Sequence, residues 1–161
     1  METRIEVFTK EHFPDSVGNE IASEVEHIGI TSVDEIRMVQ VYLVDGDLSG
    51  GDIGRICGEL LVDGLIQDYI CINGSSGVQA SEIKLGPKWQ GDDAHAIEVT
   101  RKRGVMDPVE STVIKGIKDL GLSVRSVKTA KRFLIAGQLT TDQLETIASK
   151  VLANKIIEDV F

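Results

Sequence analysis

Hydrophobic and polar residues alternate over two short stretches of the chain, Ile5–Thr9 and Ile97–Arg101. This two-residue period places alternate side chains on opposite faces and is typical of a half-buried β-strand. Each stretch is followed by an apolar stripe at helical spacing, which predicts a helix with one buried face. The two stripes are Val17, Ile21, Val25 and Ile28, and then Val109, Val113, Ile117 and Leu120.

Polar residues and glycines mark where these two helices should begin and end. Asp15 and Asp107 are suitable N-caps, and Glu110 follows Asp107 by three residues, which predicts a capping box in the second helix. Gly29 and Gly121 follow the apolar stripes and can adopt the left-handed conformation that ends a helix. Both helices are therefore delimited by the sequence.

Two longer segments, Val33–Val44 and Val124–Ile135, are rich in β-branched residues and alternating charges. That composition favours strands over helices. We predict that each segment forms two strands joined by a tight reversal, near Met38–Gln40 in the first and near Thr129–Lys131 in the second.

A second helix is predicted over Gly51–Val62 and again over Thr141–Ala153, where Thr140 can open a capping box. A short closing strand follows each, at Leu65–Ile72 and Ile156–Val160.

The same order of elements thus occurs twice, from Arg4 to Tyr69 and from Ala96 to Val160. Ile5-Glu6-Val7 returns as Ile97-Glu98-Val99, and equivalent apolar positions continue through both passages. We predict an α+β fold of two tandem β-α-β-β-α(-β) repeats, packed as a pseudo-dimer with an antiparallel sheet and helices on one face. The predicted boundaries are residues 1–72 for the first repeat, 73–94 for a linker and 95–161 for the second repeat.

The linker is rich in glycine and serine and is too long for a simple turn. It contains Trp89, the only tryptophan of the chain. We expect packing of Trp89 to hold the linker against the repeats, with contact to a partner as the alternative.

Charge is divided unevenly between the repeats. The net charge is −9, nearly all the excess acid lies before residue 70, and the second repeat is close to neutral. Two solvated faces of opposite sign would explain this division, and so would two different partners or two faces of one larger partner. Nucleic acid is disfavoured by the net charge and by the absence of aromatic residues among the basic ones.

Chemistry within the chain itself has little support. Cys57 and Cys71 lack the spacing of a zinc or redox motif and are expected to be reduced thiols without chemistry. The stretch Asp45–Gly50 resembles the opening of a calcium loop, but Ile56 stands where a bidentate glutamate is needed. No nucleophile motif is present, and no apolar run reaches the roughly 18 residues of a membrane span. We expect a cytoplasmic protein without a catalytic, cofactor or metal site.

Several motifs of the second repeat resemble the PurS family, the small subunit of phosphoribosylformylglycinamidine (FGAM) synthase. The helix start at Val105–Pro108, the strand beginning at Val124–Lys128 and the ending Lys150–Val160 all follow the family pattern, and the ending is the most specific. Lys155 replaces the family's usual proline and Glu110 its frequent glycine.

The first repeat is more divergent but keeps the same landmarks. Leu61–Tyr69 preserves the family ending, and Pro14–Gly18 preserves the helix start with the proline displaced. The resemblance therefore covers both repeats and leaves out the linker. A tandem copy is what fusion of a PurS dimer would produce, either as a stand-alone subunit or as the N-terminal domain of a longer synthase.

The resemblance implies a role in purine biosynthesis. FGAM synthase uses ATP and glutamine to convert formylglycinamide ribonucleotide (FGAR) to its amidine, with a glutaminase that releases ammonia and a synthetase that activates the substrate. The resemblance implies that this chain is a non-catalytic bridge between them and a partner of both, with a homodimer as a further option and no nucleic-acid or membrane partner. The ATP, Mg and glutamine would be used by the partner subunits.

Basic side chains of the second repeat are candidate contacts for an acidic partner. They are Arg101, Arg103, Lys128, Lys131 and Arg132. Two other classes of function stay open. One is a tandem sensor that binds a small molecule between the repeats, and the other is an enzyme whose site forms at the same junction.

Overall fold

The computed structural model describes residues 2–73, 89, 93–101, 107–152 and 158–160. The first repeat contains β1 (Glu2–Thr9), α1 (Ser16–His27), β2 (Val33–Asp45), α2 (Gly50–Ile56), a π-helical turn (Cys57–Leu61) and β3 (Gln67–Asn73). The second repeat contains β4 (Ala94–Arg101), α3 (Pro108–Asp119), β5 (Ser126–Gly137), α4 (Thr141–Ile147), a π-helical turn (Ala148–Leu152) and β6 (Glu158–Val160). Helices and strands therefore recur in the same order in both repeats.

The six strands within the described residues form one antiparallel sheet in the order β3-β1-β2-β5-β4-β6. The central pair, β2 and β5, joins the two repeats. Val39 lies opposite Arg132 and Val41 lies opposite Ala130. Since Val41 aligns with Arg132 and Val39 with Ala130, a pseudo-twofold axis exchanges these two pairs. The α+β class and the pseudo-dimer are confirmed.

The predicted reversals within the central segments are wrong. β2 runs without a turn through Met38–Gln40, and β5 runs without a turn through Thr129–Lys131. Neither site contains the glycine, asparagine or proline that a tight turn requires. The two strands instead pair with each other from Val33 and Gly137 to Asp45 and Ser126, with one irregularity near Val33.

The helices cover one face of the sheet, and both cores beneath them combine the two repeats. One core joins Val25, Ile30 and Ile36 of the first repeat to Ile97, Phe133, Ile135 and Ile147 of the second. The other joins Ile5, Val7, Val44, Ile53 and Ile56 to Val113, Ile117 and Val127. Thus α1 shares a core with α4, and α2 shares a core with α3. Neither repeat buries its helices with its own residues alone.

The second helix of each repeat begins with a reciprocal capping box. Thr140 and Gln143 form the predicted box at α4, and Ser49 forms an equivalent one with Asp52 at α2. Both helices then widen into the π-helical turns, so neither is the uniform α-helix that the pattern predicts. The end of the predicted second helix at Ala153 lies outside the described residues.

Asp15 fixes α1 to the sheet as well as capping it. Its Oδ1 accepts from the backbone N of Gly18 at 3.0 Å, and its Oδ2 accepts from the N of Met38 at 2.7 Å. Met38 lies just past the last β1–β2 pair, so the carboxylate continues the ladder. The helix approaches so closely that a Cβ on Gly18 would lie 2.0 Å from the carbonyl oxygen of Ile36.

The start of α3 is also attached to the sheet, at Thr129 of β5, which is equivalent to Met38, but through different hydrogen bonds. Asp107 accepts from the N of Val109 and from the hydroxyl of Thr129, while Glu110 Oε1 accepts from the N of Thr129 at 3.3 Å. The predicted capping box therefore does not form, because Glu110 turns to the strand. Gly29 and Gly121 end the two helices with φ of +94° and +82°, as predicted.

Candidate interaction surfaces

Four charged side chains meet on the sheet face opposite the helices, at the junction of the repeats. Arg132 Nη1 donates to Glu6 Oε1 at 3.1 Å, and Arg4 Nη2 donates to the same oxygen at 2.9 Å and also to Glu98. Glu6 is fully buried, and Arg4 and Arg132 are only 1% and 9% exposed. We call these four residues the junction cluster. Each arginine binds a glutamate of the other repeat.

The junction cluster corrects one predicted contact. Arg132 was expected to meet an acidic partner, but its guanidinium is buried and paired within the chain, so it offers no surface. Burial of Arg4 works to lower its pKa, yet the hydrogen bonds with Glu98 and Glu6 outweigh burial and raise the pKa above its usual value. Arg4 therefore stays charged, and both arginines join the two repeats through their hydrogen bonds.

Arg101 and Lys131 lie together on the helix side of the sheet. Both line a small hollow of about 140 Å³ with Gln40, Thr129 and Asp107. Arg101 Nε lies 3.9 Å from Asp107 Oδ2, and Lys131 is exposed. Gln40 lies opposite Lys131 in the central strand pair, so the hollow sits at the junction of the repeats. A single carboxylate or a small polar group would fit between these two cations.

Lys128 is exposed but belongs to the other side of the sheet. It lies opposite Leu43, in the row that contains Arg4. Strand residues three apart point to opposite faces, so Lys128 and Lys131 cannot contact one flat partner surface. Arg103 lies outside the described residues. The predicted basic set is thus divided between a hollow, an opposite face and the buried junction cluster.

Trp89 is fully buried on the face that carries the junction cluster, as the sequence predicts. Its Nε1 donates to Glu35 Oε2 at 3.2 Å, and Arg37 Nε donates to the same oxygen at 3.0 Å. Arg37 also donates to four backbone carbonyls of the β1–α1 loop, at Thr9, Lys10, Glu11 and Phe13. Trp89 thereby attaches the linker to the first repeat.

An edge of the sheet carries a second, larger hollow that the sequence did not predict. It measures about 530 Å³ and lies between α2, the start of β1 and the middle of β3. Thr3, Gly46, Leu48, Gly50, Ile53, Gly54, Tyr69 and Cys71 line it. The turn before β3 exposes Leu65 by 82%.

The first helices of the two repeats, α1 and α3, differ in the charge of their exposed side chains. Glu20, Glu24 and Glu26 are exposed on α1, whereas Lys115, Lys118 and Asp119 are exposed on α3. The two helices cover different cores of the same sheet face. The helix side of the molecule therefore presents an acidic surface on α1 and a surface of both signs on α3.

Other kinds of site receive no support from the part of the chain that the structure describes. Within those residues no group of three or more His, Cys, Asp or Glu side chains could hold a metal ion. None of the described helices is long and apolar enough to cross a membrane.

The two repeats are joined through β2 and β5 in the manner of a fused dimer. A family profile described as "PurS: Phosphoribosylformylglycinamidine (FGAM) synthase" matches residues 2–72 and 94–161. The chain belongs to the PurS family, and the two matched segments coincide with the two repeats. A search of curated protein sequences finds no match.

Membership of this family gives the chain a role in the FGAM synthase of purine biosynthesis. PurS is a non-catalytic subunit of that enzyme and therefore has protein partners.

Proposed function

We propose that this chain bridges the glutaminase and the synthetase of FGAM synthase in the cytoplasm. In that position it would support the transfer of ammonia during the conversion of FGAR to FGAM, which consumes ATP and glutamine. The partners would bind the ATP, Mg and glutamine. The observation that carries the proposal is the difference in charge between α1, which is acidic, and α3, which exposes two lysines and one aspartate, on one face of a PurS pseudo-dimer.

A bridge needs two surfaces that different partners can distinguish. Electrostatic complementarity directs association and rejects wrong partners, because like charges at an interface are repelled. The acidic helix α1 suits a basic partner surface, and the exposed lysines of α3 suit acidic side chains of another partner. Arg101 and Lys131 add a second basic feature at the junction, where they can receive a carboxylate of the acidic partner.

The first test mixes the chain with a glutaminase and a synthetase of the same pathway in the presence of glutamine, ATP and ADP. Pull-down followed by light scattering should yield a defined complex that restores glutamine-dependent formation of the amidine. The absence of a complex under every nucleotide condition, with the chain folded, would refute the bridging role.

Charge-reversal variants assign the two surfaces. Glu20→Lys with Glu24→Lys should weaken binding of one partner, and Lys115→Glu with Lys118→Glu should weaken binding of the other. Because these side chains are exposed, both variants should remain folded. Loss of the same partner from both variants, or of neither, would contradict two separate surfaces.

A small-molecule sensor is the alternative from a different class. The hollow of about 140 Å³ at the junction is where an effector would bind. A specific rise in Tm with one amino acid or nucleotide, abolished by Lys131→Ala, would favour the sensor over the bridge.

A further inference from the structure

Exposed apolar side chains concentrate in two short segments of the first repeat. Eight large apolar side chains are exposed within the part of the chain that the structure describes, and five of them fall between residues 13 and 17 or between residues 65 and 69. These five are Phe13, Val17, Leu65, Ile66 and Tyr69. Single exposed apolar residues are ordinary on a protein surface, whereas a concentration of them marks an interaction site.

Hydrogen bonds of Lys10 bring the two segments together. The backbone N of Lys10 donates to the carbonyl oxygen of Ile66 at 2.8 Å, and its Nζ donates to that of Gly64 at 2.9 Å. The N of Phe13 donates to the carbonyl oxygen of Lys10 at 3.0 Å, so Phe13 follows Lys10 by one tight turn. Leu65 lies between Gly64 and Ile66. We call Phe13, Leu65 and Ile66 the end patch, because they lie where β1 ends and β3 begins.

Exposed carboxylates accompany the end patch in both segments. Glu11 is exposed in the loop after β1, and Asp63 and Asp68 are exposed on either side of the two apolar residues of the turn. The loop also contains Lys10 and His12, but the ammonium group of Lys10 already donates to a backbone carbonyl. An apolar centre with an acidic rim suits a protein surface whose own apolar side chains are surrounded by lysine or arginine.

The edge of β3 beside the end patch is protected against pairing with another strand. The hydrogen bond from Lys10 to Ile66 continues the β1–β3 ladder, so the N–H groups of Gln67 and Tyr69 point away from β1. The N of Gln67 donates to a carbonyl oxygen of the preceding turn at 2.7 Å, and the N of Tyr69 donates to Asp68 Oδ1 at 2.9 Å. Because both donors already have acceptors within the chain, a partner would contact the end patch through side chains and not by adding a strand.

We infer that the end patch anchors a protein partner that presents apolar side chains flanked by lysine or arginine. The inference rests on the proposed bridging function and extends it, because the acidic helix α1 begins three residues after Phe13. Glu20 of α1 is exposed, so the helix and the end patch would contact the same partner. Apolar anchors contribute most of the affinity of an interface, and the charges around them direct association.

Binding of the whole chain to the glutaminase and to the synthetase, measured separately by surface plasmon resonance, tests the inference. Phe13→Ser with Leu65→Ser should weaken the binding of one partner at least about tenfold and leave the other unchanged. The weakened partner should be the one that Glu20→Lys with Glu24→Lys also weakens. Ile28→Ser is the matched control, because Ile28 is 42% exposed at the opposite end of α1 and should leave both affinities unchanged.

Circular dichroism confirms that the variants are folded, and Leu65→Ser alone, at a side chain that is 82% exposed, gives a second test with the least effect on the fold. Unchanged affinity of the double variant for both partners, or equal weakening of both, would overturn the inference and leave the bridging function intact. A wild-type chain that binds neither partner would refute both. A wild-type dimer in light scattering that Leu65→Ser converts to a monomer would assign the end patch to a second copy of the chain and would also overturn the inference.

Discussion

The two repeats follow the same backbone path but use different side chains where they meet. Glu6 and Glu98 are equivalent by alignment, yet Glu6 is fully buried between two arginines, whereas Glu98 is 25% exposed and binds Arg4. Arg132 aligns with Val41, and Arg4 aligns with Ala96. The backbone is therefore pseudo-symmetric, while the charges at its centre are not.

The same contrast extends to the surface. Residues 1–72 contain 15 acidic and four basic side chains, whereas residues 95–161 contain eight acidic and 11 basic ones. At the start of the first helix, Gly18 permits a backbone contact in one repeat, and Glu110 makes a side-chain contact in the other. Shared positions thus preserve the fold, and divergent ones give each repeat its own surface.

The largest expected effect comes from removing Glu6, and it tests the difference between Glu6 and Glu98. Glu6→Ala should lower the free energy of unfolding by about 3–5 kcal/mol, because it leaves the buried Arg132 without its carboxylate. Glu98→Ala is the matched control and should cost only about 1–2 kcal/mol, since Glu98 is partly exposed and Arg4 retains Glu6. Urea denaturation followed by circular dichroism measures both, and equal losses would contradict the asymmetry.

The next effect concerns the start of the first helix. Gly18→Ala should destabilise the protein by about 3 kcal/mol, because its Cβ would overlap the backbone carbonyl of Ile36. Glu110→Ala at the equivalent position removes one acceptor from Thr129 and should cost about 1 kcal/mol. A Gly18→Ala variant as stable as wild type would show that α1 does not approach the sheet this closely.

Trp89 belongs to neither repeat and tests how the linker is attached. Trp89→Phe keeps an aromatic side chain but loses the indole N–H that donates to Glu35 and leaves a small cavity, so it should cost about 2 kcal/mol. A double-mutant cycle with Glu35→Gln isolates this bond. Circular dichroism must be the probe, since Trp89 is the only tryptophan. Strictly additive losses would show that the pair is not coupled.

The smallest effect concerns a surface pair between the repeats. Arg125 Nη2 lies 3.0 Å from Asp45 Oδ1, and this hydrogen bond lowers the pKa of Asp45 below its ordinary value. Stability from a carboxyl group with a lowered pKa is present above the unfolded pKa and is lost as pH falls through the folded pKa. Arg125→Ala should therefore lower Tm slightly at neutral pH, and the difference should vanish in acid. A constant difference at every pH would reject the pair as its cause.

Much of this fold follows from local pattern. The repeat, the first helices with their glycine ends, the outer strands and the burial of Trp89 are all predictable, because each depends on periodicity or on capping residues close in sequence. The predicted reversals failed because periodicity does not state whether a strand continues or folds back. Only the missing turn residues could have shown that β2 and β5 are single strands.

The sites were harder to predict because they depend on which faces meet. Arg132 was expected at the surface, as arginine usually is. Arg132 lies two residues from both Ala130 and Leu134 on the strand, so the three side chains share one face, and this face is buried.

The exchange of helix partners between the repeats also governs the order in which the chain can fold during synthesis. The first repeat leaves the ribosome early. However, the apolar face of α1 is covered only once α4 has been made, and that of α2 only once α3 has been made. Nearly the whole chain must therefore be made before either core closes, and the nascent first half remains vulnerable to aggregation until then. Folding should be a single late event, in which both cores close together.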